Sequence, residues 1–199
     1  VCASKYTDGE GLLDIINAGI EYIGENRVQA MKEKREYLEN KGLENKITWD
    51  FIGNLQKNKI KYIIDYVDLI QSVHEYTLLE ELDKKAIQKN RKLNVLLEVN
   101  ISGEESKHGF EPVEIIGLGE KLISFTNVKI IGLMTMAPNT FEEEVIRKTF
   151  RGLRELKDEL NIKVFNGSLT ELSMGMSNDY KIALEEGATI IRIGSRLFN

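Results

Sequence analysis

Several residue types are scarce in this sequence of 199 residues, and each scarcity argues against a class of protein. Cys2 is the single cysteine, so a disulfide framework is excluded and a reducing, cytoplasmic setting is expected. Cys2 stands in an apolar run, where a buried, inert thiol is the ordinary interpretation. The two histidines, His74 and His108, have no neighbouring cysteine or paired acidic residues, so we expect no metal site.

Long apolar runs and an excess of positive charge are also lacking. No stretch approaches the roughly 20 apolar residues that span a bilayer, and no signal-peptide pattern is present. The formal net charge of -5 provides no overall positive field for a nucleic acid. We therefore expect a soluble, monomeric, one-domain protein over residues 1–199, with neither a nucleic acid nor a membrane as its partner.

What the sequence does contain is an alternation of short apolar runs with longer stretches of helical character. The longer stretches, among them NRVQAMKEKREYLENKG, TLLEELDKKAIQKNRK and TFEEEVIRKTFRGLRELKDEL, have apolar residues at helical spacing. The apolar runs predict strands at 1–4, 22–24, 48–52, 69–73, 95–99, 129–134, 171–174 and 189–193. The count of eight strands favours a closed (β/α)8 barrel of the TIM type. A doubly wound nucleotide-binding sheet is less favoured, because the first strand is followed by no G-x-G-x-x-G loop.

In such a barrel the functional groups stand at the C-terminal ends of the strands. Polar residues follow nearly every predicted strand, including Lys5, Asn26, Asn54, His74, Asn100 and Thr135. Turn and cap chemistry explains part of this pattern, since asparagine is a common turn residue. Two features are harder to explain in that way.

Arg192 is the first of them. In TIIRIGS it shares a strand face with Ile190 and Gly194, where an unpaired guanidinium would be costly. One interpretation is a structural salt bridge to Glu98 or Glu171. The other is a donor aimed at a ligand in the mouth of the barrel.

The second feature is the pair of small-residue segments SMGMS and IGS, which end strands seven and eight. Barrels often bind phosphate at these two loops, because small residues let backbone N–H groups approach an anion closely. We therefore predict a phosphate cup formed by Ser173, Gly175, Gly194 and Ser195. Glycine and serine are also ordinary turn residues, so the segments alone are a weak signal.

Lys5 directly follows the first predicted strand at the same mouth. We expect it across from the phosphate cup and near Arg192, where partial removal from water and a nearby cation favour a neutral, nucleophilic amine. A lysine, a phosphate site and an arginine that can face a pyridine nitrogen together predict pyridoxal 5'-phosphate held as a Schiff base. Met174 is expected among the apolar side chains around its ring.

Longer motifs extend this inference. The strings ASK, GENRVQ, WDFIGNLQKNK, SVH, VNIS with SKHGF, GLMTMAP, LSMGMSNDYKIALEEGAT and RIGSRLF resemble, in order, those of the pyridoxal phosphate homeostasis proteins. These proteins are single-domain relatives of the barrel half of alanine racemase. The resemblance implies an alanine racemase N-terminal-domain-like barrel. It places the cofactor on Lys5 and Arg192 toward the pyridine ring. It places the phosphate near Ser173, Gly194 and Ser195. We add Asn26 and Met174 to the expected cofactor-binding residues.

The sequence departs from the family pattern at three positions. The family usually has His where Asp50 stands, Asp where His74 stands, and Pro or His where Asn54 stands, and no role is carried over to them. The family also has a helix ahead of the first strand. Because this sequence begins at Val1, inside that strand, we expect the helix to be missing from it.

Three functions remain open at this point. The leading expectation is a protein that maintains pyridoxal phosphate homeostasis, by holding the cofactor or handing it to apo-enzymes, without catalytic turnover. The alternatives are a pyridoxal phosphate-dependent amino-acid racemase and a phosphosugar-binding barrel. We expect no racemisation, because Arg192 disfavours a protonated ring nitrogen and the sequence ends after strand eight without a second domain. Tyr6 and Tyr180 are poorly placed to act as the second base.

Overall fold

Eight parallel strands pair in sequence order in the computed structural model, which describes residues 1–104 and 107–198. Ser106 of the SKHGF motif lies outside the described residues. The strands are β1 Cys2–Ala3, β2 Tyr22–Glu25, β3 Thr48–Phe51, β4 Leu69–Val73, β5 Leu93–Glu98, β6 Val128–Met134, β7 Glu171–Met176 and β8 Ile190–Arg192. The sheet closes, because the N–H of Ala3 donates to the carbonyl of Ile193 at 2.7 Å, and the N–H of Ile193 donates to that of Val1 at 3.0 Å. The predicted barrel is therefore confirmed.

Helices connect the strands on the outside of the barrel. They are α1 Gly11–Asn17, α2 Val28–Lys41, α3 Tyr76–Gln88, α4 Pro112–Leu118, α5 Glu143–Leu160, α6 Tyr180–Glu185 and α7 Ser195–Phe198. Shorter 3-10 helices span Ser4–Tyr6, Glu44–Lys46, Lys57–Tyr62 and Gly119–Ile123, and a π-helical turn spans Asn161–Phe165. None of the helices among the described residues has the length and apolar character needed to cross a membrane.

The helix boundaries follow from local sequence. In α5 the buried apolar residues recur at three- and four-residue spacing and form one apolar stripe: Ile146, Phe150, Leu153, Leu156 and Leu160. Helix α2 ends before Gly42, whose φ of 68° is a left-handed conformation that glycine adopts without strain. The apolar stripe of α5 therefore faces the main core, and Gly42 ends α2 before the chain returns to the barrel at β3.

The alternation of side chains along each strand separates two buried layers. Residues facing outward, such as Trp49, Phe51 and Leu172, pack against the helices in the main core. Residues facing inward fill the barrel: Leu69, Leu96 and Met134 form an apolar cluster there, and the buried polar residues Asp50, Gln71, Ser173 and Arg192 lie on strands of the same barrel. The interior is therefore partly polar, and this polar part lies beneath the candidate site.

Candidate functional site

Lys5 lies in the 3-10 turn Ser4–Tyr6, directly after β1, as expected. Its side chain is exposed, and its Nζ stands 5.1 Å from the centre of the Tyr6 ring. The expected partial removal of this amine from water is therefore not found. The 3-10 turn ends the strand one residue earlier than predicted and turns Lys5 out of the barrel wall toward solvent.

A buried ion pair holds this turn from below. The ammonium group of Lys34, on α2, donates to the carbonyl of Ser4 at 2.7 Å and to its Oγ at 3.2 Å, and it forms an ion pair with Glu25. Glu25 is fully buried, and its other oxygen accepts the backbone N–H groups of Asn26 at 2.8 Å and Arg27 at 3.3 Å. The Glu25 carboxylate thus connects the ends of β1 and β2. Sequence reasoning missed Lys34, since an ordinary helical lysine is usually solvated.

The loops after β7 and β8 meet through a serine hydroxyl. The N–H of Gly194 donates to Oγ of Ser177 at 3.3 Å, and Ser177 is buried. Gly175 has a φ of 94°, which permits the sharp turn at the end of β7. Ser195 begins α7, so its N–H is one of the first helical amides that have no intrahelical acceptor. Gly175 near the end of β7, and Gly194 and Ser195 after β8, thus lie in two joined segments. Ser177 is the residue that joins them.

The Lys5 turn packs directly against Gly194. A Cβ atom at Gly194 would lie 2.8 Å from Cε2 of Tyr6 and 3.2 Å from Cβ of Ala3. The rings of Tyr6 and Phe198 also contact each other, with centroids 6.2 Å apart. The expectation that Lys5 lies across from the cup is therefore wrong: the two are neighbours, because barrel closure puts β1 beside β8.

Arg192 is almost fully buried beneath this mouth. One guanidinium nitrogen donates to Oγ of Ser173 at 2.5 Å and another donates to the carbonyl of Thr135 at 3.1 Å. The alternative of a salt bridge to Glu98 or Glu171 is wrong within the described residues, since Arg192 is held by neutral oxygens. Burial lowers the pKa of Arg192 to about 10, and the negative charge of Glu98 opposes this shift.

Two expected contacts of the cofactor are placed elsewhere. The hydroxyl of Ser173 is fully buried between Arg192 and Gln71, so it does not face the cup. Met174, the next residue, points outward into the main core and is completely buried. These positions correct the expected side-chain roles, and the alternation of β7 explains both. Ser173 supports Arg192 from inside the barrel, and Met174 packs under the helices.

Asn26 stands at the end of β2, beside β1. Its Oδ1 is buried and has no hydrogen-bond partner among the described residues. A buried acceptor without a donor carries a free-energy penalty that a bound ligand can remove. Asn26 therefore remains a candidate contact of the cofactor.

Two interior residues extend the polar contacts of Arg192. Gln71, on β4, donates from Nε2 to Oδ2 of Asp50 at 2.6 Å and accepts from the hydroxyl of Ser173 at 2.6 Å. Burial raises the pKa of Asp50 from 3.8 to about 7, and the hydrogen bond from Gln71 opposes this shift. Neither residue was a candidate from sequence, where Asp50 was noted only as a departure from the family pattern.

The two histidines lie near each other at the ends of β4 and β5. The ring centroids of His74 and His108 are 5.7 Å apart, and burial raises the pKa of the nearby Glu98. In the part of the chain that the structure describes, no group of three or more His, Cys, Asp or Glu residues is arranged to hold a metal ion.

Comparisons with known proteins agree with this architecture. Residues 8–199 match the family model of the alanine racemase N-terminal domain. A structure of PipY from Synechococcus elongatus with PLP bound superposes with a TM-score of 0.93 at 33% identity, covering 100% of this chain and 91% of that one. An alanine racemase from Clostridium difficile superposes with a TM-score of 0.77 at 15% identity over 99% of this chain and 52% of the racemase, and this likeness concerns the fold alone.

Relatives in sequence narrow the family further. The pyridoxal phosphate homeostasis protein of Aquifex aeolicus is 46% identical over 196 residues, which are 98% of this chain and 84% of that protein. The protein of the same name from Pseudomonas aeruginosa is 36% identical over 198 residues, covering 100% of this chain and 82% of the relative. The chain therefore belongs to the pyridoxal phosphate homeostasis proteins, within the family of the alanine racemase N-terminal domain.

Proposed function

We propose that this protein binds pyridoxal 5'-phosphate, held as a Schiff base on Lys5, and maintains the supply of this cofactor without amino-acid turnover of its own. The observation that carries the proposal is the packing of the Lys5 turn against Gly194, which unites an exposed amine with a loop suited to a phosphate. Membership of the pyridoxal phosphate homeostasis proteins supports the same cofactor.

The residues present fit the three parts of the cofactor. The first amides of α7 and the small residues Gly194 and Ser195 suit the phosphate. The unpartnered Oδ1 of Asn26 offers an acceptor near β1. Of the five N–H donors of an arginine, two of those on Arg192 are used in the bonds to Ser173 and Thr135, so others remain for a ring nitrogen.

Pyridoxal phosphate supplies an aldehyde that a lysine amine can capture and a ring that withdraws electrons. Lys5 would condense with that aldehyde and release water, and the exposure of its side chain would leave the bond open to water and incoming amines. Such access suits reversible loading and release, and apo-enzymes that need the cofactor are the partners we propose.

Arg192 is the reason that we propose no racemase activity. Its guanidinium keeps its proton at neutral pH even with the lowered pKa of about 10, and a cation facing the ring nitrogen disfavours the protonated ring that best stabilises a carbanion. The nearby tyrosines are also engaged: Tyr6 packs on Phe198, and the Tyr180 hydroxyl accepts from Arg196 at 3.4 Å. The likeness to alanine racemase concerns the fold and carries no activity.

Borohydride reduction of the cofactor-loaded protein, followed by peptide mapping, tests the attachment. We expect the pyridoxyl label on Lys5, and we expect Lys5→Arg to lose the label while keeping the charge. Lys57→Arg is the matched control, because Lys57 is another exposed lysine and is paired with Glu75 at 2.9 Å. A label that persists in Lys5→Arg and maps to Lys57 or Lys107 would overturn the assignment.

Exchange of the α-proton of L-alanine in deuterated water tests the absence of turnover. We expect slow exchange without inversion, together with transfer of the cofactor to an apo-enzyme. Rapid inversion that disappears in Lys5→Arg would favour the racemase instead. Phosphate binding without a covalent pyridoxyl label would favour the phosphosugar-binding alternative.

A further inference from the structure

A chain of side-chain hydrogen bonds crosses the interior of the barrel and ends at Arg192. It runs from Asp50 on β3 to Gln71 on β4 at 2.6 Å, across the lumen to Ser173 on β7 at 2.6 Å, and to Arg192 on β8 at 2.5 Å. The four residues are 2%, 0%, 0% and 6% exposed, respectively. Strands that are not neighbours in the sheet are thereby joined through one glutamine.

The direction of each bond follows from the chemistry of the two ends. The guanidinium of Arg192 can only donate, so Oγ of Ser173 must accept from it. The Ser173 hydroxyl proton is then free to point at Gln71, whose Oε1 accepts it. The amide of Gln71 therefore turns its Nε2 toward Asp50, whose carboxylate oxygen accepts. When Asp50 is ionised and can only accept, these hydrogen bonds admit one orientation of the Gln71 amide.

We propose that Gln71, anchored by Asp50, is a positioning residue that sets the direction of the Arg192 guanidinium toward the cofactor ring. Gln71 acts through Ser173 and touches no cofactor atom. The inference rests on the proposed function for its consequence, since Arg192 faces a ring only if pyridoxal phosphate binds. The hydrogen-bond chain itself belongs to the protein and can be observed without the cofactor.

Stability alone does not account for this arrangement. An apolar cluster, made of Leu69, Leu96 and Met134, also fills the barrel. Replacing buried, paired polar groups by apolar ones of similar volume is often neutral or stabilising. The buried hydrogen bonds are therefore better explained by their effect on Arg192, the residue at which they end. A rigid arginine presents its remaining N–H groups in one direction, and a loose one does not.

The test uses three variants and two measurements. Gln71→Met keeps the volume and removes both bonds. The exchange pair Asp50→Asn with Gln71→Glu swaps donor and acceptor between these positions but keeps a carboxylate oxygen facing Ser173. Ser72→Ala is the control. Ser72 is the next residue of β4 and is buried, and its replacement removes a hydrogen bond to the carbonyl of Gly53 that is not part of the Asp50–Arg192 series. The measurements are the side-chain ¹⁵N resonances of Arg192 in cofactor-free protein and the dissociation constant for pyridoxal phosphate, read with the absorption maximum of the bound cofactor.

We expect Gln71→Met to shift and broaden the Arg192 resonances, to weaken cofactor binding on the order of tenfold, as for loss of a hydrogen bond to a charged group, and to move the absorption maximum. The exchange pair and Ser72→Ala should keep all three near those of the unmodified protein. Ser173→Ala should match Gln71→Met, and the double variant should add nothing further, because both break one chain.

Unchanged Arg192 resonances in Gln71→Met would overturn the proposal, as would an exchange pair that behaves like Gln71→Met. Additive effects of Gln71→Met and Ser173→Ala would also overturn it. If the unmodified protein fails to bind pyridoxal phosphate, the proposed function fails. The resonances in the cofactor-free protein still decide whether the chain positions Arg192.

Discussion

The buried ion pair between Lys34 and Glu25 provides a prediction whose sign and size follow from the structure. Lys34 is 5% exposed and Glu25 is fully buried, and the ammonium group also binds the Ser4 carbonyl at 2.7 Å. The perturbation is Lys34→Met, which has a similar length and no charge. It leaves a buried carboxylate without its cation and removes one of the two donors to the Ser4 carbonyl, which keeps the N–H of Thr7 at 3.0 Å.

Removing one partner of a buried pair costs about 3–5 kcal/mol. Glu25 would keep three donors, the N–H groups of Asn26 and Arg27 and the hydroxyl of Ser4 at 3.1 Å, so we expect the lower end of this range. A loss of about 3 kcal/mol corresponds to a decrease in Tm of about 6–12 °C for a domain of this size. The Lys5 turn should loosen as well, because Lys34 holds the peptide that precedes Lys5.

The assay is urea unfolding of the cofactor-free protein, read by circular dichroism. The matched control is Lys32→Met on the same helix, whose ion pair with Glu36 at 3.4 Å is solvent-exposed and should contribute less than about 1 kcal/mol. The double variant Lys34→Met with Glu25→Gln should be more stable than Lys34→Met alone, because no buried charge is left unpaired. A Lys34→Met variant as stable as the control, or a double variant less stable than the single, would refute the reasoning.

Two further predictions concern pH and the phosphate cup. Because burial raises the pKa of Asp50 from 3.8 to about 7, the folded state binds a proton more tightly there, so the free energy of unfolding falls as pH rises through this window. Relative to Asp50→Asn, the unmodified protein should lose up to roughly 4 kcal/mol between pH 4 and pH 8, and a pH-independent difference in urea unfolding would contradict the raised pKa. Ser195→Asp should weaken cofactor retention in equilibrium dialysis far more than Ser102→Asp, because it puts a negative charge against the phosphate, whereas equal losses would place the phosphate elsewhere.

The sequence alone was sufficient for the strands and the barrel, and it named the candidate site residues that remain predictions. The apolar runs and the long amphipathic stretches are local patterns that can be read from sequence. A (β/α)8 barrel pairs its strands in the order in which they occur in the sequence, so the order of strands and helices already gives its topology. Lys5, Gly194 and Ser195 were identified for the same reason: each directly follows a strand, and strand ends in a barrel share one mouth. The long motifs added the family and its cofactor.

Tertiary structure decided how these groups meet. Closure of β8 onto β1 put the Lys5 turn beside Gly194. The pairing of these two strands cannot be read from the sequence of either strand alone. The inward direction of Ser173 and the outward direction of Met174 depend on the register of β7 within the closed sheet. Lys34 and Gln71 find partners on other elements: Lys34 donates to Ser4, 30 residues away, and Gln71 accepts from Ser173, 102 residues away. Burial, which shifts the pKa of Asp50, is a property of the packed barrel, so its consequences were beyond the reach of the sequence.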